Sequence, residues 1–240
     1  MISVVIRTQN EESWIGRCLA AVTAQNYPDF EIIIVDNEST DGTLAIVEQF
    51  NCRLVHIRNE DFTFGRSLNW GIKDAQGEYI AILSGHCIPV NERWLSSLHA
   101  SLNEGTIAGV YGRQLPLPDT TPYDKRDLWT TFGIERRVQT KDIFFHNANS
   151  IIRRSIWETT PFDEEIQGVE DRDWAQRVLA QGYHVAYEPT AAVYHYHGIH
   201  HGRDARRSAR VARVIELIND RAGLSRAMSG NLTGNTSNGS

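Results

Sequence analysis

Short aliphatic runs alternate with longer segments of helical period along the first part of the chain. The runs that read as strands are Ser3 to Ile6, Glu31 to Val35, Arg53 to Ile57 and Tyr79 to Leu83. The helical segments that follow them are Ser13 to Ala24, Thr43 to Phe50, Arg66 to Ala75 and Arg93 to Leu102. Parallel strands need a crossover connection, usually a helix, so this alternation is typical of βαβ units. We therefore predict an α/β fold with a mostly parallel central sheet flanked by helices.

The second part of the chain loses this rhythm from Ile107 onwards. Leu115 to Lys141 combines prolines and aromatic residues without a steady period, which suggests an irregular excursion that faces a substrate. Regular patterning returns in Ile143 to Ile152, in a predicted helix from Val169 to Gln181, and in the apolar runs Val185 to Tyr187 and Ala191 to Tyr194. With 240 residues, 41% of them hydrophobic, the chain has enough material for one substantial core. We expect a single domain over residues 1–220.

Charge and cysteine content narrow the class of partner and the compartment. The formal net charge is −6, so no basic field favours nucleic acid as a partner. The three isolated cysteines fit reduced thiols better than a disulfide framework. The strand-like run Ile2 to Ile6 directly after Met1 lacks the pattern of a signal peptide. We expect a cytoplasmic protein.

The last segment divides into a basic stretch and a polar tail. Residues 203–220 place arginines such as Arg203 and Arg210 on one helical face, with Val211 and Ile215 on another. Two interpretations stay open: a helix that packs on its own domain, or a peripheral contact of 203–218 with an anionic membrane at its inner face. Residues 229–240 are small and polar, which predicts disorder.

Three polar clusters follow predicted strands. They are Thr8 to Glu11 after the first strand, Asp36 and Asn37 after the second, and Ser84, Gly85 and His86 after the fourth. Ligands of open α/β sheets bind outside the carboxyl ends of the strands. Polar residues also end strands for purely structural reasons, but three such clusters together favour a ligand crevice.

The types of side chain in these clusters indicate the ligand chemistry. Asp36 at a strand end can accept hydrogen bonds from a nucleobase or a ribose hydroxyl. Arg66 near a helix start can reach a phosphate or a nucleobase, although a solvated arginine is the competing interpretation. No glycine-rich phosphate loop follows the first strand, so the charge of a phosphate must be met by side chains or by a metal.

A second polar feature opens the helix predicted from Val169. Glu170 and Asp171 stand at its start, with Gly168 before them and Trp174 after them. Acids at a helix start are ordinarily caps or partners of the helix dipole. The adjacent pair in this setting is more specific than a single capping residue, so a catalytic role is the preferred interpretation.

Several motifs taken together resemble the family 2 inverting glycosyltransferases of the GT-A type. The motifs are Ile34 to Thr43 (IVDNESTDGT), Asn149 to Arg154 (NSIIRR), Phe162-Asp163, and Glu170 to Trp174 (EDRDW). Their order and spacing match over about Ile2 to His197. The resemblance implies a GT-A fold with a Rossmann-like sheet, in which residues 1–113 bind a nucleoside diphosphate sugar and residues 114–202 shape the acceptor site.

The resemblance also implies roles for individual residues. Those expected to contact the nucleotide are Thr8, Asn10, Glu11, Asp36, Arg66 and Ser84. Those expected on the acceptor side are Asn149, Glu170 and Trp174. Asp171 is expected to be the general base that takes a proton from an acceptor hydroxyl. The oxygen of that hydroxyl then displaces the diphosphate by in-line attack, which inverts the anomeric configuration. Because the helix dipole favours an anion, we expect Asp171 to be ionised at neutral pH.

The metal site is where this chain departs from the family. Family members hold Mn²⁺ or Mg²⁺ with an Asp-x-Asp motif after the fourth strand, and this chain has Ser84, Gly85 and His86 there. In one interpretation His86 binds a divalent ion together with His195 or His197; in another, no metal binds and His86 or arginines neutralise the diphosphate directly. A third interpretation makes the later histidines a solvated loop. We expect that this protein still uses a divalent metal ion.

The resemblance predicts transfer of a hexosyl or deoxyhexosyl group from a nucleoside diphosphate sugar to a saccharide or lipid-linked acceptor in cell-surface polysaccharide or glycolipid synthesis. An inactive nucleotide-sugar-binding module is the first alternative, because loss of the Asp-x-Asp motif is what decay would produce. A sugar nucleotidyltransferase is a weaker alternative, since its basic glycine-rich loop is missing after the first strand. The intact pair Glu170 and Asp171 favours the enzyme.

Overall fold

The computed structural model describes residues 1–103, 105–166, 168–198 and 213. The strands are β1 (Ile2–Thr8), β2 (Phe30–Asp36), β3 (Arg53–His56), β4 (Tyr79–Ser84), β5 (Cys87–Pro89), β6 (Ile107–Pro116), β7 (Arg137–Gln139), β8 (Asn149–Arg153) and β9 (His184–His195). The helices are α1 (Ile15–Thr23), α2 (Thr43–Val47), α3 (Phe64–Asp74), α4 (Trp94–Ser101), α5 (Pro122–Thr131), α6 (Arg154–Thr159) and α7 (Glu170–Ala180). The basic segment 203–220 and the tail 229–240 lie outside the described residues, except for Arg213.

The first half of the sheet is parallel, as the alternation of strands and helices predicts. Its strands lie in the order β3-β2-β1-β4, and all three neighbouring pairs are parallel. Thr8 and Asp36 are register partners at the carboxyl ends of β1 and β2, and Arg7 is the partner of Ser84 on β4. The predicted polar clusters therefore converge on one edge of the sheet.

The second half of the sheet is mixed. Strand β8 runs antiparallel between β4 and β6, β6 and β9 are parallel, and β5 and β7 pair antiparallel with β9. The predicted α/β fold is confirmed, and the antiparallel pairings add strands that the parallel pattern does not suggest. The two apolar runs near 185 and 191 belong to the single strand β9, whose pairing with β6 is interrupted by register shifts.

Both faces of the central strands are covered, so strands such as β1 and β4 are mainly apolar on both sides. On β1, Val4 and Ile6 pack against α1, α2 and α4, whereas Val5 packs on the opposite face with residues of α3, α6 and α7. Gly71 allows the close approach of α3, because a Cβ atom there would lie 2.6 Å from side-chain atoms of both Val5 and Val35. The rigid double-faced core fixes the positions of the strand ends.

The segment Leu115 to Lys141 is more regular than its sequence suggests. It contains α5, which begins with Pro122 after the capping residue Thr121, and the short strand β7. Thr121 Oγ1 accepts a hydrogen bond from the backbone N–H of Asp124. The weak apolar period of α5 explains the missed prediction, because only Asp124 and Leu128 of this helix are buried.

Candidate active site

A cavity of about 210 Å³ opens at the carboxyl ends of β1 and β4. It is lined by Arg7, Thr8, Gln9, Glu11, Phe62, Phe64, Ser84 and His86. Four of the predicted site residues, Thr8, Glu11, Ser84 and His86, thus line one space. We call it the donor cleft below.

Thr8 and Asp36 form the floor beside this cleft. Both are buried, and Thr8 Oγ1 has no hydrogen-bond partner among the described residues. Asp36 accepts hydrogen bonds from the Ser39 backbone N–H at 3.1 Å and from Ser39 Oγ at 2.5 Å. A buried hydroxyl without a partner costs free energy unless a ligand or water satisfies it, so Thr8 is suited to meet a polar ligand atom.

Asn10 holds the loop after β2 against the loop after β1. Its Oδ1 accepts a hydrogen bond from the backbone N–H of Thr40 at 2.8 Å, and its own N–H donates to Ser39 Oγ at 2.9 Å. Asn10 has a φ of 54°, in the left-handed region that asparagine tolerates better than most residues. The exposed Asn10 therefore shapes the rim of the site by joining two loops.

Arg66 is already engaged by residues of the later chain. Its Nε donates to Glu164 Oε2 at 2.9 Å, and its Nη1 donates to the carbonyl of Asp61 at 2.9 Å. The start of α3 lies so close to Asp163 that a Cβ atom on Gly65 would be 2.1 Å from the Asp163 carbonyl oxygen. Arg66 thus joins α3 to the segment before α7, and it does not line the donor cleft.

His86 is oriented by a carboxylate. Its Nδ1 lies 2.6 Å from Glu11 Oε1. A carboxylate oxygen accepts hydrogen bonds, so Nδ1 is the donor of this pair and Nε2 is the ring nitrogen left for another partner. Ligating histidines are usually oriented in this way by a carboxylate or carbonyl on the other ring nitrogen.

His195 is oriented in a similar way by an amide. Its Nδ1 lies 2.8 Å from Gln114 Oε1, and the Nε2 of Gln114 lies 3.1 Å from Nδ1 of His146. The amide oxygen accepts, so His195 donates from Nδ1. The rings of His86 and His195 stack with centroids 5.0 Å apart, and the ring of His197 lies 4.9 Å from that of His86.

The donor set at this point suits an ion that accepts imidazole. The side-chain ligand atoms of His86, Cys87 and His195 lie within 4.8 Å of one another. Burial raises the pKa of the Cys87 thiol, so the metal-binding thiolate is disfavoured and the two imidazoles remain as donors. Nitrogen donors fit Mn²⁺ better than Mg²⁺, which prefers oxygen ligands.

Asp171 lies at the start of α7 with both carboxylate oxygens held by backbone donors. Oδ2 accepts from the N–H of Asn147 at 3.2 Å, and Oδ1 accepts from the N–H of Arg172 at 2.8 Å. Burial, followed by the charge of Glu170, raises the pKa of Asp171 to about 7. Burial and Glu170 thus shift this pKa in the direction opposite to the helix dipole, which favours the ionised carboxylate. That Asp171 is ionised at neutral pH stays a prediction.

Glu170 is buried and faces the donor side of the sheet. Its Oε1 lies 3.6 Å from Nη1 of Arg7, the residue before Thr8 on β1. Sequence reasoning assigned no role to Arg7. The signal that could have identified it is a cation next to the polar cluster after β1, in a strand whose residues are mostly apolar.

The three residues expected on the acceptor side are all buried. Asn149 is fully buried, where its Oδ1 accepts from Trp94 Nε1 and its Nδ2 donates to the carbonyls of Arg113 and Ala191. Trp174 is also fully buried and donates from Nε1 to the carbonyl of Thr160. The polar atoms of both side chains are thus satisfied inside the protein, which indicates a structural role. Glu170 is 3% exposed and precedes Asp171 at the start of α7. The acceptor-side roles of these residues stay predictions.

The chain belongs to glycosyl transferase family 2, whose model matches residues 3–160. The glycosyltransferase AglE of Haloferax volcanii is 28% identical over 195 residues, which cover 78% of this chain and 64% of AglE. The O-antigen chain rhamnosyltransferase WbaN of Salmonella anatum is 28% identical over 178 residues, which cover 70% of this chain and 56% of WbaN. The chain thus matches less than two thirds of the length of either relative.

A solved structure shares the fold. The mannosyltransferase PcManGT of Pyrobaculum calidifontis, solved in complex with GDP-Man and Mn²⁺, superposes with a TM-score of 0.68 at 22% identity. The match covers 90% of this chain and 64% of PcManGT. Among the described residues, no helix is both long and apolar enough to cross a membrane.

Proposed function

We propose that the protein is an inverting glycosyltransferase that moves a sugar from a nucleoside diphosphate sugar to a hydroxyl group. The observation that carries the proposal is the setting of Asp171, a carboxylate with a raised pKa that accepts hydrogen bonds from two backbone amides. Its neighbour Glu170 is buried and lies within ion-pair distance of Arg7, which lines the donor cleft. Family membership supplies the reaction class.

On the donor side, Asp36 and Thr8 are proposed to meet the nucleoside. Ser84 lines the cleft on β4 and is proposed to contact the diphosphate, and Asn10 and Glu11 hold the loops around it. Arg66 is proposed to act from the rim, where its remaining donors are available beside the Glu164 ion pair. Residues 1–113 would then form the donor half and residues 114–202 the acceptor half.

On the acceptor side, Asp171 is proposed to be the general base. Its raised pKa makes it a stronger base than an exposed aspartate and leaves a substantial ionised fraction at neutral pH. The carboxylate takes the proton of the acceptor hydroxyl while that oxygen attacks the anomeric carbon opposite the diphosphate. The bond to the diphosphate oxygen breaks, its electron pair leaves with the diphosphate, and the anomeric configuration inverts.

We propose that His86 and His195 hold a divalent ion, with Mn²⁺ as the better fit. Such an ion supplies positive charge that stabilises the leaving diphosphate. Glu11 and Gln114 fix the tautomers that present Nε2 of each ring. PcManGT, solved with Mn²⁺, supports divalent-ion use in this fold.

The proposed setting is the synthesis of a cell-surface polysaccharide or glycolipid, with a saccharide or lipid-linked acceptor. The name of the relative WbaN, an O-antigen chain rhamnosyltransferase, supports this setting. The inactive-module alternative is less well supported, because an inactive protein has no need to keep the pKa of Asp171 raised.

The test is a panel of nucleoside diphosphate sugars, each measured for thermal stabilisation of the protein with and without Mn²⁺. The ligand with the largest shift is then used in a transfer reaction, and the anomeric configuration of the product is read by NMR. Inversion is expected. A product that retains configuration, or a protein stabilised by no nucleotide sugar, would contradict the proposal.

A further inference from the structure

Arg7 contacts the donor cleft and the helix of Asp171 at the same time. It is the penultimate residue of β1 and lines the cleft together with Thr8 and Ser84. Its Nη1 lies 3.6 Å from Glu170 Oε1 and donates to the carbonyl of Phe64 at 3.3 Å. The guanidinium also lies over the ring of Phe64, 5.0 Å from its centroid.

These contacts leave much of the guanidinium unused. A charge-assisted N–H to carboxylate hydrogen bond is usually about 2.7–2.9 Å long, so the Arg7 contact with Glu170 is loose. Arg7 Nε is buried and has no hydrogen-bond partner among the described residues. An arginine offers five N–H donors in a fork that matches phosphate oxygens. Arg7 therefore has donor capacity left for an anion in the cleft.

The negative charge of the Glu170 carboxylate is compensated by Arg7. The carboxylate is 3% exposed, and Arg7 is the cation within ion-pair distance among the described residues. Glu170 is also the charged neighbour that most raises the pKa of Asp171, while Arg172 lowers it. Any change in the pairing of Arg7 with Glu170 therefore alters the electrostatic field on Asp171.

We propose that Arg7 changes partner when donor binds, moving its charge from Glu170 to the diphosphate, and so couples occupancy of the donor cleft to the strength of the base. The inference rests on the proposed function. Once Arg7 turns to the phosphate, the charge of Glu170 acts on Asp171 without compensation. The Asp171 carboxylate is then a better proton acceptor when a sugar donor occupies the donor cleft than when the cleft is empty.

The experiment is a double-mutant cycle on nucleoside diphosphate binding, measured by calorimetry with UDP, GDP, CDP, ADP and dTDP. Arg7→Met should weaken binding about tenfold, because a hydrogen-bonded cation is lost. Glu170→Gln removes the competing carboxylate and should tighten binding at least about twofold. In the double variant, Glu170→Gln should no longer tighten binding, since Arg7 is the group that Glu170 restrains.

Arg58→Met is the matched control, because Arg58 is 68% exposed and does not line the cleft. It should leave the affinity unchanged. If Arg7 had a purely structural role, Arg7→Met would still weaken nucleotide binding. Glu170→Gln would then not tighten binding, and its effect would not depend on whether Arg7 is present.

The outcomes separate the two proposals. If the parent protein binds a nucleoside diphosphate and Arg7→Met binds it equally well, the coupling is overturned while the proposed function stands. Equal tightening by Glu170→Gln in both backgrounds also overturns the coupling, because the carboxylate then repels phosphate directly. A parent protein that binds none of the five nucleotides overturns the proposed function, and the coupling with it.

Discussion

The Nδ1 atom of His86 lies 2.6 Å from the Oε1 atom of Glu11. This pairing orients the ring of His86, which follows β4, and leaves Nε2 as the nitrogen that would bind the proposed ion. A carboxylate that in other sites binds a metal directly here acts on the imidazole instead. The position after β4 thus combines a histidine with a carboxylate that orients its ring.

His86→Ala is expected to weaken Mn²⁺ binding at least about tenfold, because one of two imidazole donors is lost. Mn²⁺ titration of the protein by calorimetry measures the affinity, and EDTA treatment of the parent measures the dependence of activity. His184→Ala is the control, since His184 opens β9 at its other end. Activity of the parent undiminished by EDTA would favour the metal-free interpretation. The affinity should also fall on acidification, because ligating imidazoles must be neutral.

Asp171→Asn is expected to lower the turnover rate by about 10²–10⁴-fold, the usual contribution of a general base. Nucleoside diphosphate affinity should stay within about twofold, because Asp171 does not line the donor cleft. Asp173→Asn is the control in the same helix, since that carboxylate pairs with Arg177 at 2.7 Å. Full transfer activity in Asp171→Asn would remove Asp171 from the mechanism.

The pH dependence of transfer should report the raised pKa of Asp171. Below about 7 the carboxylate is protonated and cannot accept the hydroxyl proton, so activity should rise with pH through about 7 and then level off. Glu170→Gln removes a charge that raises this pKa and should move the acid limb to lower pH. Rate profiles of both proteins at saturating Mn²⁺ measure the shift. If the acid limb stays at the same pH in Glu170→Gln, a group other than Asp171 is responsible for it.

Asn149→Ala tests the structural assignment of this residue. The substitution leaves Trp94 Nε1 and two backbone carbonyls without their partner, at about 1–3 kcal/mol for each unsatisfied group. We expect the free energy of unfolding to fall by about 3 kcal/mol or more, with donor affinity of the folded protein unchanged. Urea titration measures the free energy of unfolding. The exposed Asn51→Ala is the control. A stable variant with weakened acceptor use would restore the acceptor-side role.

Sequence patterns predicted the parallel half of the sheet and the position of Asp36, because both depend on local alternation and strand ends. The burial of Asn149 and Trp174 and their internal hydrogen bonds could not be predicted, because a motif position does not reveal whether a polar atom is satisfied inside the protein. Arg7 was missed for a related reason. Its meaning depends on Glu170, a partner far along the chain that no local pattern identifies.

The helix α5 and the pKa of Asp171 were beyond prediction on different physical grounds. α5 buries little apolar surface, so its period is too weak to see in the sequence. The pKa depends on burial and on a neighbouring charge, both of which require coordinates.

Strand β9 pairs with β5, β6 and β7 and carries His195 to the side of His86. The first four strands can pair as they emerge during synthesis, whereas His195 joins the cluster only after 195 residues have been made. Contacts so distant along the chain form late, because their loop-closure entropy must be met first. A nascent or truncated chain that ends before β9 would therefore present the strands of the donor cleft but lack an assembled histidine cluster, so the proposed ion could bind only once β9 has joined the sheet.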